Sequence, residues 1–508
     1  MVYSDYKFRN LITILFVLLG LVLVLLQTQT YNLGVTSDGV NYIEVARNIM
    51  KGHGIVNDAG DFINHWPPLY ALVLAGFSKL LNLDPFLSGK YLNAILLGVT
   101  FWVFNLILNL HRTTDKTRIL INVLLFFSVS LNIYTWFLSE PLFITILLIA
   151  LYFFRKWILL KKSYLLILSG LTFSFLILIR YAGIGFVGGL LLYLLISNKE
   201  TILSRIKNCF LLIASIAPIT LIWFLYSSER TGDIANRSFS FHPIGLENIL
   251  SFGKTILSWV LPFQSNLQLA IVGIILFWVF IYVIFKTPNL NTNLRTVARH
   301  NNGHLYIFGL TIVCYLLFIV FSISFIDAAI PMDSRMMAPI FPLLLLLISP
   351  FLAFYISKPF KATALNFLVI IIFILSVNTA ILSWFTAINE GQGITSEKFK
   401  NSDTLQRLPQ FLDKEIYTND VNYISLYFPE TSQQLKPLPK WLLPGNMIVD
   451  VNKEAEILKM KETIENNEAV LIYFNTVNWK FYQINSEDIR KIFKDRPIIE
   501  TKDGFIIE

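Results

Sequence analysis

The chain has 508 residues, of which 55% are hydrophobic and 15% charged, with a mean hydropathy of +0.61, a balance that excludes an ordinary soluble protein. Its formal net charge of +8 would point to an anionic partner if it were clustered on one soluble segment; no such basic patch occurs, which argues against nucleic-acid binding. The apolar residues fall in runs of about 17 to 25, the length at which a helix rising 1.5 Å per residue crosses roughly 30 Å of hydrocarbon.

The first run, Leu11 to Leu26, follows Lys7 and Arg9, and Gln27-Thr28-Gln29-Thr30 offers no small-residue cleavage site, so it reads as an uncleaved anchor. Residues 28–87 form a long first outer loop. Within it, Val40 to Met50 places Ile43, Ala46 and Met50 on one helical face with Glu44 and Arg47 elsewhere, the pattern of a helix lying on a membrane surface. Spans are then expected near 88–110, 119–137, 140–154, 164–179, 182–197 and 208–226. The stretches 119–156 and 164–197 are too long for one crossing and too short for two with a generous loop. Each is therefore expected to be a tight hairpin, tipped by Ser139-Glu140-Pro141 and Arg180-Tyr181 respectively.

A second outer loop, 227–267, carries Trp259 and Phe263, aromatic residues suited to the interface. Spans near 268–285, 305–325, 336–356 and 363–386 bring the expected number to about eleven. Cys209 and Cys314 each lie inside an apolar run and read as small buried hydrophobes rather than a disulfide or metal pair. From Gly391 the composition becomes that of a soluble domain, with strands expected at Glu415 to Asn419, Ala469 to Phe474 and Pro497 to Glu508, the last broken by a Lys502-Asp503-Gly504 turn. Helices are expected at Glu454 to Glu465 and Glu487 to Lys494. The fold class is thus an all-α polytopic membrane domain over 1–390, followed by a small α/β domain over 391–508.

With the N-terminus inside, one set of loops gathers Lys7, Arg9, Arg112, Lys116, Arg118, Arg155, Lys156, Lys161, Lys162, Lys199, Arg205, Lys207, Lys286, Arg295, Arg299, Lys358 and Lys361. That asymmetry satisfies the positive-inside rule and explains the basic charge as a record of insertion into the cell membrane. An odd number of spans leaves the C-terminal domain on the extracytoplasmic side.

Several polar residues fall on that outer side. Asp38, in Thr36-Ser37-Asp38-Gly39, is either the N-cap of the surface helix or a general base whose basicity partial desolvation raises. In Asn64-His65-Trp66-Pro67-Pro68, the prolines fix a corner that starts a helix and presents His65. Glu140 is either a dipole-stabilising acid at a helix start or a functional carboxylate. Arg180 and Arg335 stand at helix boundaries. Their forked donors suit a lipid phosphate, and the structural alternative is an ion pair with Asp327, Asp333 or Glu140.

This order of features resembles the GT-C superfamily of membrane glycosyltransferases, in particular bacterial relatives of dolichyl-phosphate-mannose protein mannosyltransferases and aminoarabinose transferases. The resemblance rests on Asp38 with Tyr42 and Ala46, Pro67-Pro68-Leu69, Ser139-Glu140-Pro141, Arg180, and Arg335 with Pro339 and Pro342. It implies a first-loop acid at the reaction centre, a role Asp38 inherits. It further implies a polyprenyl-phosphate-linked sugar as donor and basic residues facing the donor phosphate, Arg180 and Arg335 here. Tyr42, His65 and Tyr181 complete the expected substrate-binding set. The family often has two adjacent acids where this chain has Asp38-Gly39, so Glu140 is the candidate for the second carboxylate. The superfamily allows a divalent metal near the first-loop acid, and no ligand spacing here demands one.

The implied chemistry is a single displacement with inversion, in which an acceptor hydroxyl on a glycan, lipid or protein attacks the anomeric carbon. A transporter or flippase of lipid-linked sugars is the main alternative; such proteins place ionisable groups at mid-membrane and show internal repeats, whereas these charges sit at outer helix ends. A non-enzymatic envelope assembly protein built around the C-terminal domain is the second.

Overall fold

A computed structural model describes residues 6–110, 113–196, 200–232, 239–259, 273, 274, 278, 295–299, 301–328, 330–357, 363–442 and 449–508. The expected span at 268–285 falls almost wholly outside the described residues, as does Phe263. Among the described residues, five helices are long and apolar enough to cross a membrane: α1 (Tyr6–Gln27), α4 (Pro85–Asn109), α6 (Glu140–Leu160), α9 (Ile202–Thr231) and α11 (Asn302–Phe325). Between and after them lie α2 (Ser37–Lys51), α3 (Leu69–Leu81), α5 (Asp115–Phe126), α7 (Ser163–Ile179), α8 (Gly183–Ile196), α10 (Leu246–Ser258), α12 (Ser334–Met337), α13 (Ile340–Ser357) and α14 (Thr363–Asn389). The chain is a multi-pass membrane protein.

The bundle is assembled by close pairs: α1 runs along α4, α6 against α7, α7 against α9, and α8 against α11. Lipid supplies no hydrophobic drive between helices, so small residues let backbones approach. At Gly189 of α8 an added Cβ would stand 2.5 Å from the Cα of Thr311, so only glycine permits that crossing.

Several expectations change. The segment 119–137 is not one straight span, because α5 ends at Phe126 and a 3₁₀ turn over Val129–Thr135 follows with a 56° bend. Ser128 makes the break: its hydroxyl accepts the Ser130 amide at 3.1 Å, diverting a donor from the helical ladder. In the second loop, Trp259 is 3% exposed and meets Phe341 edge to face, so it packs inside the protein rather than dipping into an interface. The two cysteines are unbonded.

The expected hairpin tips hold: α6 begins at Glu140, and α7 ends at Ile179 with Arg180 to Ala182 turning into α8. The C-terminal domain carries a five-stranded sheet of order β2-β1-β3-β5-β4, with β1 (Glu415–Thr418), β2 (Leu435–Pro437), β3 (Ala469–Phe474), β4 (Ile498–Glu500) and β5 (Gly504–Ile507). Strands β1, β2 and β3 are mutually parallel while β5 runs antiparallel to both β3 and β4. Helices α15 (Val421–Tyr427), α16 (Lys453–Glu465) and α17 (Ser486–Ile492) complete it.

The domain sits on α2, which changes the expected surface helix. Ile43 and Ala46 are buried as their spacing implies, but Glu44 is also only 8% exposed and accepts a hydrogen bond from Ser425 Oγ at 2.9 Å. Thus α2 is sandwiched between the bundle and the C-terminal domain.

Candidate active site

A short parallel pairing brings the two acids together. Gly34 bridges Trp136, with Gly34 N donating to Thr135 O at 2.8 Å and Phe137 N donating to Gly34 O at 2.7 Å. Both segments run the same way, and each acid follows its bridged residue by four positions, Asp38 after Gly34 and Glu140 after Trp136. Gly39 belongs to this arrangement, since a Cβ there would stand 2.7 Å from Phe137 O. An acid next to Asp38 would therefore collide with the strand leading to Glu140, which is a physical reason for Asp38-Gly39.

Asp38 does not cap α2. Thr36 does, its hydroxyl accepting the Gly39 amide at 3.3 Å, and the Asp38 carboxylate faces Arg335 instead. Arg335 Nη2 lies 2.5 Å from Asp38 Oδ2, and its Nε lies 2.5 Å from Glu140 Oε1. Arg180 Nη1 reaches the same Glu140 oxygen at 2.5 Å and also Ser139 Oγ at 3.3 Å, to which Tyr42 donates at 3.3 Å. Arg335 is presented by Asp333, whose Oδ1 caps α12 by accepting the amides of Arg335 at 3.1 Å and Met336 at 3.0 Å. Of the acids expected to pair with the arginines, Glu140 meets both; Arg335 also meets Asp38, which was not among them, and Asp333 acts on the backbone.

The two carboxylates differ in setting. The Glu140 side chain is 1% exposed and that of Asp38 25%. Glu140 anchors two guanidiniums from behind, and Asp38 reaches the surface of a cavity of about 630 Å³. His65, Trp66, Arg180, Tyr181 and Arg335 share its wall with Asp38; most of the remainder is apolar, including Ile184, Phe224, Phe318, Ile319, Ile330 and Pro331. Tyr42 stands behind that wall, edge to face with Tyr70. Burial, and then the charge of Asp38, hold its phenol well above the ordinary range and so protonated.

Of the seven residues singled out from the sequence, five line the cavity, and Glu140 and Tyr42 support it. Several contributors carry no motif. Arg180 Nη2 rests on Met336 Sδ at 3.3 Å, a weak acceptor. Tyr315 holds Met336 by donating to its carbonyl at 2.9 Å. Trp223 Nε1 donates to Tyr181 Oη, which donates to Asn64 O, both at 3.1 Å, tying the His65 corner to α9. The adjacency of Asn64 to His65 and of Met336 to Arg335 was the available signal; nothing marked Tyr315 or Trp223.

Among the described residues no three His, Cys, Asp or Glu side chains gather to hold a metal ion. Asp38 and Glu140 both face guanidiniums.

The architecture matches solved structures. ArnT from Cupriavidus metallidurans bound to undecaprenyl phosphate superposes with a TM-score of 0.58 at 11% identity, covering 97% of each chain. The apo state of the same protein gives 0.56 at 11% identity, again over 97% of each chain. The chain shares its fold with that protein. No family model matches the sequence, and no curated protein matches it.

Proposed function

We propose that this protein transfers a sugar from a polyprenyl-phosphate donor to an acceptor hydroxyl on the extracytoplasmic face of the cell membrane, with inversion at the anomeric carbon. The observation that carries this reading is the cavity: two arginines and a solvent-reached carboxylate in a largely apolar cleft, whose other polar lining is His65, Tyr181, Ser322 and Asp327. A polyprenyl phosphate has the same division of character, an anionic head on a hydrocarbon chain. The shared fold with ArnT, whose solved form holds undecaprenyl phosphate, supports the same ligand class.

In this mechanism Asp38 accepts the proton of the acceptor hydroxyl as its oxygen bonds to the anomeric carbon. The bond from that carbon to the phosphate oxygen breaks, and its electron pair leaves with polyprenyl phosphate. Arg180 and Arg335 meet the charge that develops on the leaving oxygen. Glu140 is a positioning residue that fixes both guanidiniums, with His65, Tyr42 and Tyr181 shaping the sugar's surroundings. No step is routed through a metal. The proposal includes about eleven crossings, with the N-terminus cytoplasmic and the C-terminal domain outside.

The test is to identify the lipid-linked sugar that accumulates in cells lacking the protein, then to supply it to the purified protein. Expected are release of polyprenyl phosphate and a product whose anomeric configuration, read by NMR, is opposite to the donor's. Movement of the lipid-linked sugar across vesicles without its cleavage would overturn the reading in favour of a transporter.

A further inference from the structure

The segment Leu33–Val35, paired on one side with Trp136, is paired on its other side by the first residues of the C-terminal domain. Val35 bridges Gly393 in parallel; Ile394 N donates to Val35 O at 2.9 Å, and Thr395 Oγ1 donates to Leu33 O at 2.8 Å. The two flanking segments are themselves joined, because Thr135 Oγ1 donates to Gln392 Oε1 at 2.8 Å. Gly393 has φ +58, and a Cβ there would stand 2.2 Å from Val35 O, so both its conformation and its contact require glycine.

The grip continues along α2. Tyr427 Oη donates to Ile394 O at 3.0 Å and so ties the third segment to α15. From α15, Asn422 Nδ2 donates at 3.5 Å to the carbonyl of Ser37, the residue before Asp38, while Ser425 holds Glu44 further along.

We propose that the Gln392–Thr395 segment is a positioning element for the reaction: by clamping Leu33–Val35 against Thr135–Phe137, it holds Asp38 level with Glu140. The C-terminal domain is then a working part of the active site that touches no substrate. This inference rests on the transfer reaction proposed above. A donor and acceptor held together react fast only in a narrow range of geometry, and a displacement of about 1 Å can cost about 100-fold in rate. The segment is therefore expected to act on turnover more than on ligand affinity.

The experiment compares full-length Thr395→Val, which keeps shape but loses the donor to Leu33 O, with Thr395→Ser, which retains a hydroxyl. Hydrogen exchange is followed at the amides of 33–40 and 135–141, undecaprenyl phosphate binding is titrated, and kcat is measured with the donor identified above. For Thr395→Val, faster exchange in both segments and a fall in kcat of about 10-fold or more are expected, with Kd for undecaprenyl phosphate within about twofold of wild type. Thr395→Ser is expected to restore both. Faster exchange confined to 392–395 with wild-type kcat would overturn the proposal, as would a parallel loss of affinity and turnover that serine does not rescue. Should the wild type neither bind undecaprenyl phosphate nor transfer sugar, the functional reading fails, while exchange spreading to 38–40 still supports the clamp and its confinement to 392–395 still refutes it.

Discussion

Arg335 faces Asp38 directly, its Nη2 lying 2.5 Å from Oδ2 of Asp38, a residue that lines the cavity. The pair is partly exposed, and Thr36 rather than Asp38 caps α2, so removing the negative charge of Asp38 leaves the helix start intact. For Asp38→Asn a stability change within about 1 kcal/mol is expected, with transfer reduced by about 100- to 10,000-fold, the usual cost of losing a general base. Thermal unfolding and single-turnover transfer by the purified variant check this. Wild-type turnover would remove Asp38 from the chemistry and make Glu140 the leading candidate.

Glu140→Gln should behave in the opposite sense. Its buried Oε1 receives both Arg180 and Arg335, and removing one partner of a buried ion pair strands the others, at a cost of about 3 to 5 kcal/mol. A lowered Tm with weakened lipid phosphate binding is expected. A variant as stable as wild type that has lost only kcat would make Glu140 a reacting group instead of an anchor.

The contrast between these acids shows what was legible. Glu140 and Arg180 stood out because a charge inside an apolar run demands an explanation, and the hairpin tips placed both on one side. Their pairing was legible only as one of three alternatives, with Asp327, Asp333 or Glu140 as the partner. Arg335 meets Glu140 across 195 residues of sequence and Asp38 across 297, and a period-based reading carries no information at that range. The Leu33–Val35 ribbon was also invisible, because segments of three residues have no periodicity. Gly34, Gly39 and Gly393 do mark it, yet a glycine's reason is visible only once its neighbours are known. Secondary structure in the C-terminal domain was clearest where alternation or amphipathicity ran longest: Ala469–Phe474 emerged with the expected bounds, while the three-residue β2 was missed.

Glu44 makes the docking of the C-terminal domain sensitive to pH. Burial chiefly, then the charge of Asp58, raise its carboxyl from the ordinary 4.5 to about 7, against the lowering effects of the Ser425 hydrogen bond, the Asp58 amide and Arg47. A carboxyl with a raised folded pKa binds its proton more tightly in the folded protein. Its contribution therefore favours the folded state below about 4.5 and is lost as pH rises toward 7. A shift of this size corresponds to about 3 kcal/mol. Relative to wild type, Glu44→Gln should thus gain stability between about pH 5 and pH 8. A stability difference between the two proteins that does not change over that range would dismiss Glu44 as the group responsible.

Topology can be checked independently of activity. Lys161 ends α6, while Asn467 lies on the turn after α16 of the C-terminal domain. Reporter fusions after these residues should give opposite signals, Lys161 cytoplasmic and Asn467 outside. Equal signals would remove the extracytoplasmic site from the proposed function.

The arginines separate ligand binding from structural pairing. Arg335 uses Nε and Nη2 on two different carboxylates, and Arg180 turns one edge to Glu140 and the other to the weakly accepting Met336 sulfur. Lysine keeps the charge but offers a single ammonium that cannot span two acceptors in that way. In Arg180→Lys the pairing with Glu140 can persist while the edge available to a phosphate is lost. Undecaprenyl phosphate affinity should therefore fall by about 10-fold, equivalent to about 1.4 kcal/mol, with folded yield close to wild type. In Arg335→Lys, affinity should fall similarly, and the bridge between Asp38 and Glu140 is broken as well, so kcat should fall further than in Arg180→Lys. Titration of both variants with the lipid, alongside folded yield, decides the matter: a loss of yield with unchanged affinity would mean that these arginines serve the fold and that the phosphate binds elsewhere.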